Sequence, residues 1–120
     1  MKFRSHELST GKVIQAGKNA SNNEELVGAA NPKDVLLHTA EPGSPFVNVG
    51  VKVLKKELKE AAVFCASKSQ DWRDNKGDVV VHVFKKKNVY KKKGMKLGTF
   101  GVKGRDKEIL VKKKDIEELR

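Results

Sequence analysis

The segment VLKKELKEAAVFCASKS, residues 53–69, constrains the fold more than any other. Leu54, Leu58, Ala61, Ala62 and Cys65 recur at helical spacing and form one apolar stripe, while Lys55, Lys56, Lys59 and Glu60 take the other side. Such a stripe has to be buried against something. VLLHT, residues 35–39, is nearly continuous in apolar residues, as in a strand buried on both faces, and VVVHVF, residues 79–84, is β-branched.

Shorter signals complete the outline. KFRSHEL alternates apolar and polar residues, STGK breaks the pattern, and KVIQAG resumes it, which predicts a hairpin. SNNEELVGAA opens with Ser21-x-x-Glu24, a capping-box pattern, and predicts a short helix that stops at Asn31-Pro32. Residues 41–45 carry turn chemistry, with two prolines around Gly43-Ser44, and FVNVGVKV returns as a strand. DWRDNKGD ends the long helix. GTFGVKGRDKEILVKKK predicts a hairpin turning at Gly104-Arg105-Asp106, and DIEELR a short or frayed helical end. The order ββαββαβββ, without repeats, heptads or a long linker, predicts one α+β domain over residues 1–120. Its sheet is expected to be mixed but largely antiparallel, with two main helices.

The formal charge of +11 is concentrated in one place. Residues 85–114 hold 13 Lys and Arg against 2 Asp and Glu, which accounts for the whole excess. A surface of this sign favours a polyanion. The single cysteine, Cys65, excludes an intrachain disulfide, and this together with the lack of a signal-peptide pattern predicts a cytoplasmic protein. No apolar run approaches the length of a membrane span.

The candidate phosphate contacts are Lys85, Lys86, Lys87, Lys91, Lys92, Lys93 and Lys96, with Tyr90 and Phe100 as possible stacking faces for an unpaired base. The plain alternative is an edge strand guarded by lysines against aggregation. The excess of cations in this window favours polyanion contact, although strand alternation lets only part of each triplet face one ligand. Asn19, Asn22 and Asn23 lie at a helix start beside Lys18, where free N–H groups can hold an anion. On these residues alone, ordinary capping explains them better. His38 and Ser44 raise the question of a nucleophile pair, but no third group accompanies them. His6, His38, His82 and Cys65 lack metal-ligand spacing, so neither metal nor cofactor is expected. Cys65 belongs to the apolar stripe and Trp72 reads as a packing anchor. Gly98, Gly101 and Gly104 match neither the dinucleotide fingerprint nor the P-loop.

Four stretches together resemble the NFACT-R domain family: VIQAGKNASNNEELV, DVLLHTAEPGSPFVNV, LKEAAVFCASKSQDW and VVVHVFKKKNVYKKKGMKLGTFGVKG. They occur in the family's order over about residues 11–111. The family domain is an RNA-binding module that ends long proteins of the ribosome-quality-control and bacterial fibronectin-binding-like group. The resemblance therefore implies non-catalytic binding of tRNA or ribosomal RNA, with the large ribosomal subunit as a partner. The alternatives are DNA binding of the same electrostatic kind, or docking on a ribosomal protein. It also implies roles at the RNA-facing surface for Lys18, Asn19, Asn23, His38 and Ser44. The long members' N-terminal NFACT, helix-hairpin-helix and coiled-coil regions are not in this sequence, so a partner chain is expected to supply them. Two positions depart from the family pattern. Pro45 stands where the family has a second His, and Val35-Leu36-Leu37 stands where an aromatic residue usually precedes His38.

Overall fold

A computed structural model describes residues 2–119. The chain runs β1 (Arg4–Glu7), β2 (Val13–Ala16), α1 (Ala20–Ala29), β3 (Val35–Thr39), β4 (Val47–Gly50), α2 (Lys55–Ser67) and α3 (Gln70–Asn75). It continues with β5 (Val79–Lys85), a 3-10 turn (Lys86–Asn88), β6 (Val89–Tyr90), β7 (Gly101–Val102), β8 (Lys107–Val111) and α4 (Lys113–Glu118). Six strands form one sheet in the order β1-β2-β4-β3-β5-β8, and β6 and β7 form a separate two-stranded ribbon. Each described pairing is antiparallel, which narrows the expected mixed sheet to its antiparallel form.

Alternation along the two central strands makes two cores. Val79, Val81 and Val83 of β5 and Leu37 of β3 pack against Ala61, Ala62, Cys65 and Ala66 of α2. The small residues of the helical stripe let α2 lie close to the sheet. Cys65 is fully buried, and desolvation pushes its thiol up to about 12, so it is a core residue and no nucleophile. Leu36 and Phe84, paired across β3 and β5, form the second core with Leu26 and Val27 of α1 and with Phe46. Val89, Phe100 and Val102 close this core from outside. Burying Phe84 alone is worth about 1.5–3 kcal/mol relative to leaving it exposed.

Several local expectations change. Helix α1 is capped by Asn19, whose Oδ1 accepts from the Asn22 N–H at 2.9 Å, so Ser21 lies inside the first turn and no Ser21–Glu24 box forms. Glu24 is drawn elsewhere, as described below. Leu54 is not on the buried stripe. It sits at the N-cap of α2, 57% exposed, with its N–H held by Glu57. DWRDN forms α3, because the Ser69 hydroxyl accepts from the Trp72 N–H at 3.1 Å and restarts a helix directly after α2. The hairpin expected about Gly104-Arg105-Asp106 does not form. β7 pairs with β6, while β8 crosses to the edge of the main sheet beside β5. The Asp106 N–H donates to the Val83 carbonyl at 2.7 Å, which draws the segment after β7 to β5. The C-terminal segment is helical through Glu118, and Arg120 lies outside the described residues.

Candidate nucleic-acid interface

The basic stretch after β5 is an ordered strap across the second face of the sheet, and its lysines differ in what they do. The Lys91 ammonium donates to Glu24 Oε1 at 3.0 Å, to the Lys96 carbonyl at 2.6 Å and to the Thr99 carbonyl at 2.7 Å. It also lies 4.7 Å from the centre of the Phe100 ring. Glu24 accepts a second bond from the Gly98 N–H at 2.7 Å. That backbone bond, ahead of Lys91, holds the Glu24 carboxyl below its ordinary range. Gly98 is needed here twice over. Its φ is +79°, and a Cβ would stand 2.8 Å from the Ala20 backbone. Strap and α1 are thus clasped together through Glu24.

Other members of the run are also engaged. Lys85 pairs with Asp106 at 3.2 Å, and Lys86 donates to the Ala30 carbonyl at 3.3 Å. Lys92 lies over the ring of Tyr90, and that ring packs against Gly101. Lys87, Lys93 and Lys96 are exposed. None of these residues, nor Tyr90, lines the main cavity of the molecule.

That cavity, about 820 Å³ in volume, opens where β1 begins and β2 and β3 end. Its wall carries six cations, Arg4, Lys18, Lys68, Arg73, Lys103 and Arg105, and no Asp or Glu. Among the described residues, only Arg105 of these six is in an ion pair, with Glu108 at 3.1 Å. Arg73 is braced by the Lys68 carbonyl at 3.2 Å and Gln70 Oε1 at 3.0 Å, neutral acceptors that fix the guanidinium without cancelling its charge. Five cations without an ion-pair partner among the described residues therefore share the cleft, while Lys85 and Lys91 of the strap are paired.

The floor is aromatic. Phe46 packs edge-on against Phe84 and Phe100, with centroids 6.3 Å and 5.4 Å apart, and the His38 ring leans on it at 4.5 Å. His38 and His82 are direct cross-strand neighbours, next along β3 and β5 from Leu36 and Phe84. α1 and the strap cover the Leu36–Phe84 pair, while the histidines line the cavity. His38 Nδ1 lies 2.7 Å from the Thr39 carbonyl, and burial, more than any other influence, pushes the His38 pKa down. His82 Nε2 meets the Glu108 carboxylate at 3.0 Å.

The structure brings Lys18, Asn19, Asn23, His38 and Ser44 to one wall system, although they are spread over the first half of the chain. The two asparagines and the serine do structural work there. Asn23 Oδ1 accepts from the Phe46 N–H at 3.1 Å, tying α1 to β4, and Gly17 is the residue whose lack of a side chain admits it: a Cβ there would lie 1.9 Å from that oxygen. Ser44 Oγ accepts from the Thr39 N–H and donates to the Pro45 carbonyl, both at 3.1 Å, closing the loop after β3. Among the described residues no hydrogen bond joins His38 to Ser44, and no group of three His, Cys, Asp or Glu is placed to hold a metal.

Residues 2–104 match the NFACT protein RNA-binding domain. The chain belongs to the NFACT-R family. The NFACT-R fold is also seen in a solved structure. The C-terminal part of the fibronectin/fibrinogen-binding protein from Streptococcus suis superposes with a TM-score of 0.85 over 100% of this chain and 49% of that chain, at 22% sequence identity. At that identity the likeness speaks to the fold alone, and the chain spans about half of that neighbour. No curated protein matches the chain. Family membership supports a non-catalytic RNA-binding role, and no helix among the described residues is long and apolar enough to cross a membrane.

Within this NFACT-R domain, sequence reasoning missed Arg4, Lys68, Arg73 and His82 as cavity residues. Arg4 and His82 sit on segments correctly read as strands, but which end of a strand borders a cavity depends on its neighbours. Lys68 and Arg73 flank the break between α2 and α3, and only the α3 turn brings Arg73 to the cavity wall. Lys103 and Arg105 lay inside the basic window, yet nothing in the sequence distinguished them from the lysine triplets.

Proposed function

We propose that this chain is a non-catalytic, cytoplasmic RNA-binding module that contacts tRNA or ribosomal RNA in translation or ribosome quality control. The observation that carries RNA binding is the cleft wall of six cations without a carboxylate. Like charges held together this way repel one another, and an anionic ligand relieves that repulsion. Phosphates occupy the cleft through Arg4, Lys18, Lys68, Arg73 and Lys103. Lys87, Lys93 and Lys96 on the exposed strap guide flanking backbone into place. Contacts of this kind position an RNA more than they read its sequence. The resemblance to the terminal domain of long ribosome-associated proteins supports the translational setting.

The test is the salt dependence of RNA binding. Each phosphate contact to single-stranded nucleic acid contributes a slope of about −0.7 in log K against log salt, so five unpaired cations predict a slope of about −3.5. Arg73→Gln and Lys103→Gln each flatten it by about 0.7, and Lys93→Gln by less. Tight binding that ignores salt overturns the phosphate model. Ribosome association that survives RNase treatment points to docking on a ribosomal protein instead.

A further inference from the structure

The shape of the cleft narrows the kind of RNA it can accept. A duplex is a convex rod that a protein reads along its outside, whereas a concave cleft suits nucleotides lifted out of a stack. The volume of about 820 Å³ falls within the common range for small-ligand sites, about 300–1,000 Å³. Its lining is divided as a nucleotide is divided. Phe46, Leu97, Phe100 and Val102 offer an apolar floor, and the unpaired cations stand around it.

His38 adds a chemical constraint. The Thr39 carbonyl can only accept, so the proton between them is on Nδ1, and Nε2 is left as an acceptor. Burial lowers the His38 pKa, which keeps the ring neutral and unsuited to gripping phosphate. The neighbouring His82 is differently engaged: its Nε2 donates to Glu108, which also holds Arg105. Beside its cations, the lining of the cleft thus includes a neutral imidazole acceptor. Every ribonucleotide carries a matching donor, its 2′-hydroxyl, whatever its base.

Building on the RNA reading above, we propose that the cleft takes an unpaired ribonucleotide, with its phosphates on the cationic wall, its base on the Phe46–Phe100 floor and its 2′-hydroxyl donating to His38. The domain is then selective for single-stranded RNA over duplex RNA and over DNA.

The experiment measures binding of the intact chain to four labelled probes with matched phosphate counts: a short single-stranded RNA, its DNA counterpart, a blunt RNA duplex and a correspondingly shorter RNA duplex that carries a single-stranded overhang. The single strand and the overhang duplex are expected to bind about tenfold or more tighter than the blunt duplex, the worth of one stacked base. RNA is expected to exceed DNA by about fivefold, the worth of one ordinary hydrogen bond. His38→Ala should abolish the RNA-over-DNA preference while leaving the salt slope unchanged, and His38→Gln, which keeps an acceptor, should restore part of it. Equal affinity for blunt duplex and single strand overturns the inference while leaving RNA binding intact, as does equal affinity for RNA and DNA strands. Failure to bind any of the four overturns both. The wild-type comparison decides the matter even where His38→Ala does not fold.

Discussion

Lys91→Met separates a structural lysine from a phosphate contact. In the wild type the ammonium satisfies Glu24 and two carbonyls, and the stem lies against Phe100. Methionine keeps the stem and removes the three donors. Hydrogen bonds to a charged group contribute about 1.5–3 kcal/mol each, which for three would be a large sum. Lys91 and Glu24 keep 30% and 32% of their side-chain surface in solvent, however, so water and salt reclaim most of that. The expected loss is about 1–2 kcal/mol, confined to the strap. Hydrogen exchange reads it directly. The Gly98 amide, bonded to Glu24, and the Thr99 amide, bonded to the Lys96 carbonyl at 3.0 Å, should lose protection by about 5- to 30-fold. Lys93→Met should leave both amides unchanged. RNA affinity should fall in Lys91→Met with the salt slope preserved, because the variant disturbs the cleft floor through Phe100 and removes no phosphate contact. Unchanged protection at Gly98 and Thr99, or a flattened slope, would refute the structural assignment of Lys91.

Two further perturbations test the clasp and its surroundings. Gly98→Ala should cost about 1–3 kcal/mol by urea denaturation, since it meets the Ala20 backbone as well as an unfavourable φ. Gly94→Ala, at φ +96° in open space, should cost only about 1 kcal/mol, and equal costs for the two would rule out the close contact. On acidification, stability should fall in two stages. His38 is held neutral by burial, so its contribution is whole above its ordinary value of 6.5 and declines as pH drops below it. Glu24, Glu57 and Glu60 are lowered chiefly by bonds from Gly98, Thr10 and Ser9, so their contribution is whole above the ordinary 4.5 and is lost as pH falls further. His38→Gln should remove the first stage only. A denaturation midpoint that does not move between neutral pH and pH of about 3 contradicts both assignments.

Much of the architecture is a local matter and was legible as such. The stripe of α2, the β-branched run of β5 and the proline after α1 act within a few residues, so each element appears where its own side chains place it. The family was legible for a related reason: Gly17, Asn23, His38 and Ser44 belong to motifs whose spacing is fixed by contacts such as the Asn23 bond to Phe46. The charge window was legible as a total but not in its parts. Thirteen cations in residues 85–114 look equivalent along the chain. Tertiary structure alone decided that Lys91 is turned inward to Glu24 and that β8 leaves β7 for the sheet edge. It also gathered Arg4, Lys18, Lys68, Arg73 and Lys103, from distant parts of the chain, into one cleft without an acid. The division is physical: helical and strand periodicity are set by neighbours in sequence, whereas the partner of a charge, and hence whether it is free to bind, is set by whatever the fold carries to within a few ångströms of it.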